Sequence, residues 1–274
     1  NLAHLSQLGC LAPQQTAAGA RRVVFTNDPA RALTDTEFVQ ESGPEDLALK
    51  RTIMQTIERY APGDCPVASS TSGMRISDIA KDTQVPERFV GAHPFNPPHL
   101  IPLVEITRSE QTSTDCLNRV LAFYRSMKKE PIVLQKEKIG FVANRLSHAV
   151  LREVMSLIAE GVCTPEDADR ALVYGPGLRW ASIGQIVIGE LGSQGGNREG
   201  AVRFKALNEA IFRDLENRVA LPEHWGEIAA QGAEEAIAHM PDAIGHTREA
   251  VAQFRDRVLV ELLRLHGKLP ETKG

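Results

Sequence analysis

Four residues have types and neighbours suited to moving a proton: His93 in GAHPFNPP, Glu105 in LIPLVEI, Ser72 in VASSTSG and Asn144 in GFVANRL. A lone histidine near a strand end is more often a satisfied structural residue than a catalyst. Glu105, however, lies between Val104 and Ile106, and a carboxylate flanked by buried aliphatics is expensive to leave unpaired. The preceding strand offers it an imidazole. A carboxylate that fixes the tautomer of a histidine and stabilises its imidazolium makes the ring a general base, which is half of an alcohol oxidation. The alternative is that Glu105 faces solvent on an alternating strand, and Leu103 on the same face argues against it. Ser72, at the C-terminal end of a strand, sits where open α/β sheets place ligands, so its hydroxyl could hold a substrate oxygen. It could equally serve a turn or cap a helix. Asn144, near a helix start, could supply a second hydrogen bond or act as a cap.

The elements that must position these residues follow from periodicity. NLAHLSQLG reads as the end of a helix closed by Gly9, because Leu2, Leu5 and Leu8 recur every three residues. Val23 to Phe25 and Phe38 to Gln40 suit buried strands, and Pro44 to Tyr60 a helix with an apolar stripe of Leu47, Ile53, Met54 and Ile57. PVASSTSG, RFVGAHPFN, LIPLVEI and PIVLQ read as further strands, with short helices at ISDIA and about Ser113 to Met127. This alternation marks a parallel α/β sheet. Beyond Gly140 the pattern is helical: Val142, Leu146, Val150, Val154 and Leu157 share one face, Gly161 stops that helix, and Thr164 with Pro165 starts the next. We place an incomplete sheet domain at residues 1–136 and a helical domain at 137–274.

Composition bounds the function. The 274 residues are 42% hydrophobic with net charge -4 and dispersed Lys and Arg, so no basic face points to nucleic acid or an anionic membrane. Cys10, Cys65, Cys116 and Cys163 lie far apart without zinc-ligand spacing and read as reduced thiols. No apolar run is long enough to span a bilayer. The expectation is a soluble cytoplasmic protein without a metal.

The motifs VASSTSG, RFVGAHPFNPP, PLVEI and GFVANRL, in this order and spacing, resemble the 3-hydroxyacyl-CoA dehydrogenase family. PHLIPLVE and GPGLRWASIG look most like its branch acting on free hydroxy acids, which includes L-gulonate 3-dehydrogenase (lambda-crystallin) and L-carnitine dehydrogenase. The resemblance implies a Rossmann-type, mostly parallel sheet domain that binds NAD, followed by an all-α domain that contributes to a homodimer. It implies that His93 is the general base, Glu105 its partner, and Ser72 and Asn144 the contacts to the substrate oxygen. Glu45 and Lys50 match positions near the nicotinamide ribose, although a solvated helix face with a favourable first-turn acid is their plain alternative. Asn96 is either structural or cofactor-facing.

Two features depart from the family pattern. The GxGxxG loop that grips the cofactor's phosphates is absent from the 274 residues, and GPG at 175–177 and GSQGG at 192–196 lie in the helical part. The expectation is that about one or two βα units are missing. Arg179, in GPGLRW, either pairs with a substrate carboxylate or is a surface or interface charge. The segment beyond about residue 197, with Trp225 and a helix near Ala250 to Leu265, suggests an enlarged interface or a lid. The sequence therefore points to NAD-dependent oxidation at C3 of a small hydroxy acid. A 3-hydroxyacyl-CoA ester is the alternative substrate, and a non-catalytic protein on the same fold is the rival of another class.

Overall fold

The computed structural model describes residues 1–269. The chain forms two compact units, one of residues 1–145 joined by the described residues from 263 onward, the other of residues 146–262. The expected boundary at 136/137 falls in the segment between the last strand of the first unit and the helix that leaves it.

The first unit opens with α1 (Leu2–Gln7), α2 (Pro13–Ala20) and α3 (Pro29–Leu33). Gly9, at φ +69, closes the turn after α1. There follow β1 (Val39–Glu41), α4 (Leu47–Tyr60), β2 (Val67–Ser69), α5 (Ile76–Ile79), β3 (Phe89–Pro94), β4 (Leu103–Thr107), α6 (Thr114–Ser126) and β5 (Glu130–Val133). The five strands pair in sequence order. β1, β2 and β3 are parallel, as are β4 and β5, whereas β3 and β4 run antiparallel. The alternation read as parallel is thus broken once. Residues 95–102, which join β3 to β4, are too few for the crossover that a parallel pair needs.

Strand side chains alternate between two cores. Val67 and Phe89 face Met54 and Ile57 of α4 and Ile76 and Ile79 of α5. Ala68, Val90, Ala92, Val104 and Ile106 face Cys116, Val120 and Tyr124 of α6. The period of two therefore puts His93 and Glu105 on the face opposite α6, beyond the end of the first core. Caps set the helix starts: the Asp46 carboxylate accepts from Leu49 N at 2.8 Å, and Ser113 Oγ accepts from Cys116 N at 3.1 Å.

Two expectations are corrected in packing. Val23 to Phe25 form no strand and lie open, with Phe25 90% exposed, because no strand among the described residues pairs with them. The apolar stripe of α7 (Ala143–Ala159) is only partly covered. Met155 and Ser156 are its buried residues, and Leu146 is exposed.

The second unit, entered through α7, continues with α8 (Pro165–Tyr174), α9 (Pro176–Ser182), α10 (Gln185–Glu190), α11 (Gly196–Arg203), α12 (Lys205–Asp214), α13 (Trp225–Ala238) and most of α14 (Arg248–Leu265). Thr164 caps α8 through Asp167 N at 3.1 Å, with Pro165 in its first turn. Gly232 of α13 packs directly on Pro165, where a Cβ would lie 2.3 Å from the ring. Only glycine permits that approach. After α12, Glu216 accepts from Arg218 and from Ser156 Oγ, and these hydrogen bonds hold its carboxyl down to about 2.

Candidate active site

The site begins with register. His93 and Glu105 are direct partners across the antiparallel β3–β4 pair, and His93 Nδ1 lies 3.1 Å from Glu105 Oε2. Glu105 is fully buried and His93 is 6% exposed. With Nδ1–H donated to the carboxylate, Nε2 keeps its lone pair, the tautomer a base needs.

A buried carboxylate needs more than one partner. The other oxygen, Oε1, accepts from the backbone N–H of Val142 at 2.8 Å and of Ala143 at 2.9 Å. These are amides at the N-terminal end of α7, where unpaired donors and the helix dipole favour negative charge. Gly140 at φ +73 and Phe141 at φ +49 turn the chain so that both amides meet one oxygen. A left-handed phenylalanine costs about 1–2 kcal/mol. Phe141 is also buried and meets the His93 ring edge-on at 5.6 Å between centroids, while Phe95 meets the same ring edge-on at 6.3 Å. The imidazole thus sits between aromatic walls, with its carboxylate held at both oxygens.

The first turn of α7 carries Asn144, whose Nδ2 donates to Ser72 O at 3.4 Å. Ser72 is exposed, in the loop after β2, and its backbone N–H donates to Glu45 Oε1 at 2.9 Å. Thr71 Oγ1 donates to the same oxygen at 2.6 Å. Glu45 borders a cavity of about 600 Å³ lined also by Leu47, Gly73, Met74, Lys138 and Ile139. Behind it, Lys50 is completely buried and donates to both oxygens of Glu41 at 3.1 Å and to Gly43 O at 3.2 Å. A continuous chain of contacts in the first unit therefore runs from Glu41 and Lys50 through Glu45, Ser72, Asn144 and the α7 amides to Glu105 and His93.

Residues 1–138 match the family model described as 3-hydroxyacyl-CoA dehydrogenase, NAD binding domain, and residues 140–235 match the C-terminal domain of the same family. The chain belongs to the 3-hydroxyacyl-CoA dehydrogenase family. It is accordingly an NAD-dependent oxidoreductase of the kind that acts on a CH–OH group. Among 3-hydroxyacyl-CoA dehydrogenase relatives, the chain is 38% identical to an L-carnitine dehydrogenase of Bacillus cereus (strain ZK / E33L), over 94% of this chain and 78% of that enzyme. It is 39% identical to a 3-hydroxyacyl-CoA dehydrogenase of Gibberella moniliformis (strain M3125 / FGSC 7600), over 89% and 76%. Among solved structures, a 5-formyl-3-hydroxy-2-methylpyridine 4-carboxylic acid 5-dehydrogenase, described as an NAD+ dependent dismutase, superposes with a TM-score of 0.75 at 28% identity, covering 96% of this chain and 81% of that one.

Of the residues singled out in the sequence of this 3-hydroxyacyl-CoA dehydrogenase family member, His93, Glu105, Ser72, Asn144, Glu45 and Lys50 are brought together as described. Asn96 is exposed in the turn after β3, and Arg179 is exposed on α9 in the second unit. Lys50 is not on a solvated helix face, because Glu41 and Gly43 bury its ammonium. Sequence reasoning missed Glu41, Thr71 and Phe141. Glu41, between Gln40 and Ser42, carried no signal like the aliphatic flanks of Glu105. Phe141 carried none, since its part lies in a backbone angle.

The residues present fit the nicotinamide-ribose end of NAD: Glu45 keeps a carboxylate 42% exposed in a cavity that Gly73 also lines.

Proposed function

We propose that the protein oxidises the secondary alcohol at C3 of a small hydroxy acid of the carnitine or gulonate type, with His93 as general base. The observation that carries this reading is the buried His93–Glu105 pair, whose carboxylate is fixed by two α7 amides. NAD, when bound, supplies the hydride acceptor. His93 Nε2 takes the hydroxyl proton, and Glu105 stabilises the imidazolium through Nδ1. Ser72 and Asn144, joined to each other, orient the substrate oxygen. Phe95 and Phe141 limit water around the ring. Glu45 and Asn96 contact the cofactor, and Lys50 acts through Glu45.

Named L-carnitine dehydrogenases recur among the relatives at 34–39% identity, which favours a free hydroxy acid over a CoA ester. The intact Ser72, His93, Glu105 and Asn144 set argues against a purely structural role. The protein works as a homodimer through its helical unit, where α10 to α12 leave Ile186, Leu191, Val202, Leu207 and Phe212 exposed. Its four free cysteines suit the reducing cytoplasm.

A turnover panel of L-carnitine, L-gulonate, 3-hydroxybutyrate and 3-hydroxybutyryl-CoA with NAD tests the reading. The expected result is a kcat/KM for one of the free acids at least about 100-fold above the CoA ester, a gap of two powers of ten in transition-state binding. The reverse order makes the protein a 3-hydroxyacyl-CoA dehydrogenase.

A further inference from the structure

We infer that Glu41 is a positioning residue for cofactor binding: by neutralising buried Lys50, it leaves the carboxylate of Glu45 available to the ribose of NAD. The inference rests on the reading of Glu45 as a ribose contact.

Lys50 and Glu41 have side chains 0% and 1% exposed. Each oxygen of Glu41 is used twice: Oε1 accepts from Lys50 Nζ and Gly43 N, and Oε2 from Lys50 Nζ and Ser69 Oγ at 2.5 Å. Gly43 O takes a further ammonium proton, so the cation is matched without Glu45. Glu45 Oε2 stands off at 3.6 Å, an ion-pair distance longer than a hydrogen bond. Its Oε1 is already committed to Thr71 and Ser72.

Two carboxylates thus compete for one buried cation, and the inner one wins. A buried ammonium without a counter-charge is strongly unfavourable, and its attraction for a carboxylate grows as the distance falls. Without the Glu41 charge, Lys50 would draw Glu45 inward, away from the cavity that it lines, and pull on the Ser72 loop. Lys50 is completely buried, so in this arrangement its ammonium acts on the cavity through Glu45.

The test uses the full chain and fluorescence titration with NADH. Glu41→Gln is expected to raise the NADH Kd about tenfold, the scale of one lost hydrogen bond to a charged group. A crystal structure of that variant without cofactor is expected to show Glu45 Oε2 within hydrogen-bond distance of Lys50 Nζ. The double variant Glu41→Gln with Lys50→Met, which removes the unmatched cation, is expected to bind NADH at least threefold more tightly than Glu41→Gln alone, on the same scale. A purely structural role for Glu41 would make the double variant no tighter than the single, which overturns the inference. If Glu41→Gln does not fold, the double variant is compared with the unmodified chain: a Kd raised less than about fivefold sustains the inference and a larger rise overturns it. Glu45→Gln separates the two levels. An unchanged Kd in that variant removes the ribose reading itself, whereas a weakened Glu45→Gln beside an unaffected Glu41→Gln removes only the role of Glu41.

Discussion

Glu105 is the residue on which the site turns, because it serves a ring and a helix at once. One oxygen meets His93 Nδ1 at 3.1 Å, and the other accepts from Val142 and Ala143 at the α7 N-terminus. Substitution to glutamine keeps the shape but offers a donor to Nδ1. If the amide NH2 faces His93, Nδ1 must accept and the proton moves to Nε2, the wrong tautomer for a base. Glu105→Gln is therefore expected to lower kcat by about 100-fold or more while the circular dichroism spectrum is unchanged. Retained turnover with a native spectrum would separate the carboxylate from the chemistry. The pair was legible in the sequence because its residues break a pattern, a charge inside an apolar strand beside a histidine. The α7 amides were not, since backbone N–H groups carry no letter, and the left-handed angle at Phe141 that delivers them has no residue signature.

At the scale of elements, β3 and β4 make the site by lying side by side in one register. Gly91 of β3 opposes Thr107 of β4, and a Cβ at Gly91 would fall 2.2 Å from Thr107 Oγ1. Gly91→Ala is expected to cost about 1–3 kcal/mol in urea unfolding, the range for overpacking, and Thr107→Ala in the same chain is expected to recover part of that loss. No recovery would mean that the clash lies elsewhere. In the second unit, Glu216 ties the segment after α12 to Ser156 of α7. Its carboxyl is held from 4.5 down to about 2, chiefly by the hydrogen bond from Arg218. A depressed folded value gives stability that is present above about 4.5 and is lost as pH falls toward about 2. Acid unfolding monitored by tryptophan fluorescence is expected to show a flatter pH dependence in this window for Glu216→Gln, and an identical profile would contradict it. Most elements were legible from period and caps: Ser113 and Thr164 cap where the pattern starts their helices, whereas α4 starts at Leu47 behind its cap Asp46 and not at Pro44. The antiparallel pairing of β3 with β4 was not, because strand period is the same in both directions and only the short connection decides. Val23 to Phe25 misled for a related reason, since β-branched residues describe a strand's side chains but not whether a partner stands beside it.

For the whole molecule, the two units differ in what they present. The first carries the contacts from Glu41 to His93, and the second exposes large apolar side chains along α10 to α12 that suit a second copy of the chain. Sedimentation equilibrium is expected to give twice the chain mass of 30.0 kDa, and Leu207→Glu with Phe212→Glu to shift the protein toward the monomer. A monomer in the unmodified protein would leave that apolar surface to another partner. The hydroxy-acid reading depends on one base. The direct test is single-turnover oxidation by His93→Gln alongside an NADH titration of the same protein. A rate reduced by about 100-fold or more, within the range for loss of a general base, with NADH still bound is the expected result. A rate within tenfold of the unmodified enzyme would contradict the assignment of His93 as the base.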